Sequence, residues 1–465
     1  MRVIDMFETV ALPAWVLVLI GIAAAISIGE RLLFPSVRWF LRKRAERVVA
    51  KVNERLTRPI QPFKLARRAD MIQRLTYDRD VLAAVSEYAS EEGMPDEVAL
   101  EMARRYAREI VPSFSATAYF GVGIRVARWL GNTLYHVRLG HVERAEIDQD
   151  ATVVFIMNHR SNMDYMLVTY LAADASALSY AVGEWARVWP LSRLIRSMGA
   201  YFIRRRSRNA LYRRVLARYV QMATENGVTQ AVFPEGGLSL DGKVAAPKLG
   251  LLNYIIEGWT PESRDVVFVP VALNYDRILE DRILISAGQR GDRKFNARMS
   301  VVGGFILKHV WLRICRRAYK FGVASVSFGK PLSLREFATH HAELPRALGR
   351  ELMMRIENVM PVLPIPVLST VLLEATDGAT RADLELAVTK YFAGLDDDTA
   401  HNVSCGDAAS IVAEGLKVMT ARRLITQTGT IVRVKDDQRH ILEYYSNSIV
   451  HVQRRNVENA ATAGL

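Results

Sequence analysis

The sequence predicts an α/β fold, with a mixed sheet flanked by helices, an N-terminal helical region and a small C-terminal α+β domain. The main observation is that short apolar runs alternate with helical stretches from Ala151 to Leu334. Half of the residues are hydrophobic, which excludes a disordered chain. The length of 465 residues is enough for a large hydrophobic core. The runs predicted as strands are Val153–Met157, Gly199–Ile203, Gln230–Phe233, Val266–Leu273 and Val323–Phe328.

The charge of the chain indicates an anionic partner. The formal net charge is +13 and the isoelectric point is near 9.7, values typical of proteins that bind nucleic acid, an acidic membrane surface or phosphorylated small molecules. Only two cysteines occur, Cys315 and Cys405, and neither lies in a His/Cys cluster. The sequence therefore predicts neither a disulfide framework nor a structural zinc site, and a reducing compartment fits it.

The N-terminal residues 1–30 are predicted to anchor the chain in a membrane. The run from Val10 to Ile28 is almost unbroken in apolar character and just long enough to span a bilayer. The basic residues that follow it predict a membrane location with the bulk of the protein on the cytosolic face. A helix in the membrane interface or in the core is the alternative. These basic residues are Arg31, Arg38, Arg42, Lys43, Arg44, Arg47 and Lys51.

Residues 31–115 are predicted as a basic helical region, in which Pro95-Asp96-Glu97 begins a helix. Residues 116–360 form the main α/β domain. Its first segment, Tyr119 to Tyr135, is rich in aromatic residues and arginines, so it either rests on a bilayer surface or packs against the core. Its last predicted helix covers Arg346 to Met360.

Residues 361–465 are predicted as the small C-terminal domain, because Pro361, Pro364 and Pro366 mark a boundary. Two helices are predicted there, near Asp383–Phe392 and Ala408–Arg422. A hairpin turned at Gly429 follows, and this order is winged-helix-like.

A histidine and an aspartate lie where the first strand of the α/β domain ends. His159 follows the run Val153–Met157, and Asp164 comes five residues later. Five residues of ideal helix put the two side chains on different faces, so their pairing needs a turn. In that geometry the carboxylate fixes the imidazole tautomer, and the other ring nitrogen accepts a proton from a substrate hydroxyl. Taken alone, H-x-x-x-x-D is also typical of a capping or solvated histidine.

Three further stretches stand at the ends or within the predicted strands. The segment Gly199–Arg206 delivers Arg204 and Arg205 to a strand end, where guanidinium groups suit phosphate, unless they form a solvated basic surface.

In Phe233–Ser239, Glu235 can hold a substrate hydroxyl or brace the site. Gly236 and Gly237 allow a turn close to a ligand, although the same letters also fit an ordinary tight turn. Val269-Pro270-Val271 can shape a pocket wall.

In this order, the stretches resemble the glycerolipid acyltransferases, above all the bacterial membrane glycerol-3-phosphate acyltransferases. The matching motifs are His159-Arg-Ser-x-Met-Asp164-Tyr, Gly199-Ala-x-Phe-Ile-Arg204-Arg205 and Glu235-Gly-Gly-x-Ser239. The segment Tyr444–His451 is similar to the C-terminal Tyr-Tyr-x-Asn-x-Ile segment of that family. The resemblance covers roughly residues 95–455.

The resemblance implies transfer of a fatty acyl group from acyl-CoA or acyl carrier protein to the hydroxyl of glycerol 3-phosphate in phospholipid biosynthesis. It implies His159 as general base and Asp164 as its orienting partner, with no metal, cofactor or covalent intermediate. Membrane lipids and these substrates are the expected partners, and nucleic acid is not. The acceptor site implied by the matched motifs consists of Arg160, Ser161, Arg204, Arg205, Glu235, Gly236, Gly237, Ser239 and Lys243.

One departure leaves the acceptor open. The resembled enzymes usually carry Arg-Ser-Arg after Glu-Gly-Gly, whereas this chain has Leu238-Ser239-Leu240. Charged hydrogen bonds contribute roughly 1.5–3 kcal/mol each, so losing two guanidinium groups weakens phosphate binding unless others substitute. Candidate substitutes are Arg204, Arg205, Lys243 and Lys248.

Two alternatives to glycerol 3-phosphate acylation remain. An acyltransferase for a lysophospholipid or lysophosphatidic acid would use Leu238 and Leu240 to line an apolar path. A non-enzymatic basic protein that binds membranes or nucleic acid is the alternative from another class. The predicted helix Ala408–Arg422 carries few basic residues for reading DNA. Acyl chain length, the donor carrier and the oligomeric state stay open.

Overall fold

The computed structural model describes residues 13–28, 34–143, 145–173, 175–183, 191–204, 207, 209–291, 320–341, 343–395, 400–403 and 406–452. The chain forms two compact units, residues 1–55 and 56–465. The first unit contains the helices α1 (Ala14–Ile28) and α2 (Phe34–Asn53).

The prediction of a membrane-spanning helix is not supported. Helix α1 has 15 residues, which at 1.5 Å per residue gives about 22 Å, less than the roughly 30 Å hydrocarbon core of a bilayer. Among the residues that the structure describes, no helix combines the length and the apolar character needed to cross a membrane.

The second unit is built on one eight-stranded sheet. The strands are β1 (His136–Val142), β2 (Thr152–Met157), β3 (Ser179–Val182), β4 (Tyr201–Phe202), β5 (Gln230–Val232), β6 (Val266–Tyr275), β7 (Val323–Phe328) and β8 (Leu332–Ser333). Their order is β1-β7-β6-β2-β5-β3-β4, with β8 paired to β6. Most neighbours are parallel, but β6 pairs antiparallel with β7 and β8. The predicted mixed α/β sheet is therefore confirmed.

Helices cover both faces of this sheet. Before β1 lie α3 (Pro62–Leu65), α4 (Arg68–Thr76), α5 (Arg79–Glu92), α6 (Asp96–Ile110), a π-helix (Thr117–Gly123) and α7 (Ile124–Leu134). Between the strands lie α8 (Asp164–Leu171), α9 (Leu191–Ser197), α10 (Ala210–Glu225), α11 (Gly250–Glu257) and α12 (Asp281–Gln289). After β8 come α13 (Leu334–Ala338), α14 (Leu344–Asn358), α15 (Pro364–Glu374), α16 (Arg381–Ala393), α17 (Ala408–Ala421) and α18 (Arg439–Ser446).

Strand β2 is the centre of the fold, and all six of its residues are buried. Its alternate side chains enter two different hydrophobic clusters, Val153 and Phe155 on one face and Val154 and Ile156 on the other. This division follows from the two-residue period of a strand and explains why the run is apolar throughout.

The C-terminal residues share a core with the sheet. The hydrophobic cluster that contains Val153 and Phe155 continues to Leu368, Leu442 and Tyr445. The predicted hairpin is present as β10 (Ile425–Thr428) and β11 (Ile431–Val434), with Gly429 at φ +61° and a third strand, β9 (Ala379–Thr380). The prolines do not end a packed region, because Pro364 and Pro366 occupy the first turn of the buried α15, where proline is tolerated.

Candidate active site

The loop between β2 and α8 brings the predicted catalytic pair together. His159 follows the end of β2, and Asp164 is the first residue of α8. The distance between His159 Nδ1 and Asp164 Oδ2 is 2.9 Å, and both side chains are buried. With Nδ1 facing the carboxylate, Nε2 is the ring nitrogen left for a substrate proton.

Protein donors fix the carboxylate of Asp164 on both of its oxygens. Oδ2 accepts hydrogen bonds from the backbone amides of Arg160 (2.7 Å) and Ser161 (3.0 Å). Oδ1 accepts one from the hydroxyl of Tyr275, the last residue of β6, at 2.5 Å. Burial raises the pKa of Tyr275 well above its usual value, and the nearby Asp164 adds to the effect. The hydroxyl therefore stays protonated and remains a donor to Asp164.

Two aromatic rings fix the plane of the imidazole. The ring centroid of Phe233 lies 4.1 Å from that of His159, at an interplanar angle of 31°. Tyr165 meets the imidazole edge-on at 5.6 Å. Both orientations are favourable for aromatic pairs, so the ring is held by packing as well as by its hydrogen bond.

Glu235 braces the catalytic loop from the neighbouring parallel strand β5. One carboxylate oxygen accepts from the backbone amide of His159 (2.8 Å), and the other accepts from that of Ala245 (3.2 Å). Burial raises the pKa of Glu235 to about 7, although these two amides and Arg160 act in the opposite direction. Of the two predicted roles for Glu235, its contacts correspond to the brace.

A second buried carboxylate, Glu280, holds the other half of the loop. It accepts from the Ser161 hydroxyl (2.9 Å) and from the Asn162 side-chain amide (3.0 Å). The sequence analysis singled out neither Glu280 nor Tyr275. Both lie at or just after the end of β6, the other parallel neighbour of β2. Position at the carboxyl end of a buried strand was the signal that could have pointed to them.

Arg160 is a buried cation that forms no ion pair with any carboxylate among the described residues. Its side chain is 2% exposed, and its Nη1 donates to the carbonyl of Gly242. The guanidinium carbon lies 5.1 Å from the ring centroid of Tyr444. Nε and Nη2 are buried and have no hydrogen-bond partner in the part of the chain that the structure describes. A buried guanidinium with two unused donors is costly unless an anion completes it.

The turn after β5 lies against the catalytic loop and against the C-terminal helix. The Ser239 amide donates to the His159 carbonyl (2.9 Å), and the Ser239 hydroxyl donates to the Lys243 carbonyl (2.9 Å). Gly242 has φ +90°, and a Cβ there would lie 1.9 Å from the Tyr444 carbonyl oxygen, so only glycine fits. Leu238 and Leu240 are half-buried and pack against the core.

The remaining predicted acceptor residues have other surroundings. Gly236, at φ +66°, makes the turn close to the side chain of Lys248, and Gly237 is half-buried. Lys243 is exposed. Arg205 lies outside the described residues.

Arg204 forms a bidentate ion pair with Glu109, with Nε to Oε1 at 2.8 Å and Nη2 to Oε2 at 2.7 Å. Within the described residues, one hydrogen-bond network therefore connects His159, Asp164, Arg160, Ser161, Glu235 and Ser239. Arg204 is not part of this network, because its guanidinium is paired with Glu109.

Two family models match regions of this chain. Residues 140–274, which contain His159, Asp164 and Glu235, match the model described as Acyltransferase. This region of the chain is therefore similar to acyltransferase domains. Residues 311–454, which contain Tyr444, match the model described as Glycerol-3-phosphate acyltransferase C-terminal region. Together the matches confirm the resemblance drawn from the sequence motifs.

The similarity to curated relatives covers more of the chain than residues 140–274. The glycerol-3-phosphate acyltransferase of Shewanella amazonensis is 27% identical over 438 residues, which are 87% of this chain and 52% of the relative. That of Shewanella oneidensis is 28% identical with the same shares. That of Pseudomonas paraeruginosa is 26% identical over 83% of this chain and 49% of the relative. The chain spans about half the length of the curated relatives it matches.

A solved structure is also similar to this chain. The 1-acyl-sn-glycerophosphate (LPA) acyltransferase PlsC from Thermotoga maritima is 20% identical, and the match covers 62% of this chain and 98% of that one. The TM-score is 0.29, which is too low to support an argument about the acyltransferase domain.

Proposed function

We propose that this protein transfers a fatty acyl group from an acyl thioester, carried by coenzyme A or acyl carrier protein, to a hydroxyl of glycerol 3-phosphate. The observation that carries the proposal is the buried His159–Asp164 pair inside an acyltransferase domain. His159 Nε2 takes the proton of the acceptor hydroxyl while the oxygen attacks the thioester carbonyl. The C–S bond then breaks, and the imidazolium returns the proton to the leaving thiolate.

For the acceptor phosphate, we propose Arg160 as the principal ligand. Its guanidinium belongs to the residue next to His159, and its unpartnered Nε and Nη2 supply two parallel donors for phosphate oxygens. Contacts to the acceptor remain a prediction for four further residues of the loops that follow β2 and β5, which are Ser161, Gly237, Ser239 and Lys243. A phosphate contact by Arg204 or Arg205 also remains a prediction, and for Arg204 it would compete with Glu109.

The lysolipid alternative is less well supported. It needs Leu238 and Leu240 to line a path for an acyl chain, whereas both leucines already pack against the hydrophobic core. The names of the curated relatives also favour glycerol 3-phosphate.

A membrane location, with the bulk of the protein on the cytosolic face, is part of the proposal. Support comes from the exposed apolar side chains of α1, among them Trp15, Val18 and Ile20, and from the basic residues that follow α1 in the sequence. Such a helix binds a bilayer by burying its apolar surface. Deleting residues 1–30 should release much of the protein from membranes at high salt, and full retention would exclude this segment as the principal anchor.

The reaction is tested by incubating the purified protein with labelled acyl-CoA and a panel of acceptors, with products identified by mass. Glycerol 3-phosphate, lysophosphatidic acid and other lysophospholipids form the panel, and His159→Ala is the matched control. We expect monoacylated glycerol 3-phosphate from the unmodified protein only. Product from lysolipids alone would overturn the choice of acceptor, and equal turnover by His159→Ala would overturn the mechanism.

A further inference from the structure

The helix that leads into the sheet exposes apolar side chains among the arginines of its outer face. On the inner face of the π-helix and α7, Ile124, Ala127 and Leu130 are buried. On the outer face, Val122 is 53%, Val126 44% and Trp129 49% exposed. These three positions follow the spacing i, i+4, i+7 and therefore form one stripe. A helix packed on a core normally turns polar residues outward, so this apolar outer stripe needs an explanation.

The charged residues next to this stripe in the sequence are all basic. Arg125 and Arg128 are exposed beside Val126 and Trp129. The sequence contains no aspartate or glutamate between Glu109 and Glu143. The guanidinium of Arg128 lies 5.1 Å from the ring centroid of Tyr170 on α8, so one of the two arginines is oriented by packing. We call Val122, Arg125, Val126, Arg128 and Trp129 the outer α7 face.

Helix α9 extends the same character next to this segment. The backbone amides of Ser113 and Ser115, just before the π-helix, donate to the carbonyls of Arg196 (3.2 Å) and Ser197 (2.9 Å). On α9 Leu194 is exposed, and so is its neighbour Arg193. The sequence also lacks acidic residues from Trp185 to Thr224. Two neighbouring elements therefore combine exposed apolar side chains with positive charge.

We infer that the outer α7 face binds the surface of an anionic bilayer, with Trp129, Val126 and Val122 at the boundary between headgroups and acyl chains. Tryptophan favours this boundary, and arginine stems lie along apolar surface while their charged ends reach the headgroups. Anionic lipids attract basic residues that lie near the bilayer surface.

Other occupants fit this face less well. A nucleic acid would pair with the arginines, but its phosphates would gain nothing from covering the valines. A second copy of this chain would bring the same positive charge to the contact, and like charges oppose association. A bilayer satisfies both the charge and the apolar stripe.

The position of the face gives this contact a purpose, which rests on the proposed function. Helix α7 packs against α8, and Gly131 lies so close to Leu167 that a Cβ there would be 3.3 Å from the leucine side chain. Asp164 begins α8 about one helical turn, or roughly 5 Å, before Leu167. Lipid contact at α7 therefore places the bilayer one helix away from α8, whose first residue is Asp164, and this position gives an acylated product of the proposed reaction a short path to the membrane.

The test uses the full chain reconstituted into vesicles, with Cys315→Ser and Cys405→Ser so that one introduced cysteine can be labelled. Val126→Cys carries an environment-sensitive fluorophore such as NBD. The matched control is Leu386→Cys on α16, which is 71% exposed but has Glu385 as its neighbour. Quenching by lipids with a nitroxide high on the acyl chain is measured in phosphatidylglycerol and in phosphatidylcholine vesicles.

We expect at least threefold stronger quenching at position 126 than at position 386, and a larger effect with phosphatidylglycerol. Equal quenching at both positions while the protein stays with the vesicles would overturn the inference, as would a preference for phosphatidylcholine. Concentration-dependent fluorescence changes at position 126 without lipid would instead indicate self-association and would also overturn it. Because quenching needs no turnover, these results stand whether or not the proposed reaction is correct.

Discussion

Replacing Tyr275 with phenylalanine tests whether the catalytic pair depends on a residue outside the recognised motifs. The substitution removes one hydroxyl and leaves the ring, so packing against Tyr135, whose ring centroid is 5.5 Å away, is preserved. What is lost is the 2.5 Å hydrogen bond to Asp164 Oδ1, and no other donor from the described residues contacts that oxygen. Asp164 then keeps its hydrogen bonds at Oδ2, but its Oδ1 side is no longer fixed, so the carboxylate is less firmly oriented toward His159.

The size of the expected loss in kcat follows from the negative charge of Asp164, which accepts this hydrogen bond. A hydrogen bond to a charged group contributes about 1.5–3 kcal/mol. If the transition state alone loses this energy, kcat falls roughly 10- to 150-fold, because each 1.36 kcal/mol is a factor of ten. The KM values of donor and acceptor should change little, since Tyr275 contacts Asp164 rather than substrate.

The assay is initial-rate acylation of glycerol 3-phosphate over a range of both substrates. Tyr135→Phe is the matched control, because its buried hydroxyl donates to a neutral backbone carbonyl, that of Arg277, at 2.8 Å. Thermal unfolding of both variants separates lost activity from lost folding. If Tyr275→Phe keeps the kcat of Tyr135→Phe while both are folded, Tyr275 does not position Asp164.

Three further predictions concern the same site. Folded His159→Ala should lose about 10²- to 10⁴-fold in turnover, and Asp164→Asn should be similarly impaired through the wrong imidazole tautomer; near-normal rates would contradict general-base catalysis. Arg160→Met should raise the KM for glycerol 3-phosphate more than the KM for acyl-CoA, without loss of thermal stability. Arg204→Ala should instead lower thermal stability, because it breaks the ion pair with Glu109. An unchanged KM for glycerol 3-phosphate in Arg160→Met would show that Arg160 does not bind the phosphate. Burial raises the pKa of Glu235 to about 7 in the folded state. Its contribution to the free energy of unfolding, about 3 kcal/mol, is therefore present below pH 4.5 and lost as the pH rises through 7. In denaturant titrations, the free energy of unfolding of Glu235→Gln should fall less between pH 5 and pH 8 than that of the unmodified protein.

The central strand β2 and the contact between His159 and Asp164 could be predicted from sequence because both are local signals. The run Val153–Met157 is apolar at every position since it is buried on both faces, and its observed bounds, Thr152–Met157, differ by one residue. The pairing of His159 with Asp164 spans five residues, so a turn was enough to predict it.

Contacts between distant residues could not be predicted in this way. Tyr275 lies 111 residues from Asp164 in the sequence, and Glu280 lies 119 from Ser161. Nothing near either residue indicates its partner, since only the order of strands in the sheet brings the end of β6 beside the end of β2. The place of Pro364 and Pro366 in the first turn of α15 could not be predicted either, because proline suits both a linker and the first turn of a helix.

The same long-range contacts explain why the C-terminal helix is part of the site. In α18, Tyr444 packs its ring on Arg160 and donates its hydroxyl to the Ser239 carbonyl at 3.3 Å. Asn447, directly after α18, donates to the Asp241 carbonyl at 2.8 Å. The turn that carries Leu238 and Leu240 is therefore held between the catalytic loop on one side and the C-terminal segment on the other. Because the buried Arg160 depends on that enclosure, the surroundings of the proposed phosphate ligand come from both ends of the region matched by the family models, although more than 280 residues separate Arg160 from Tyr444.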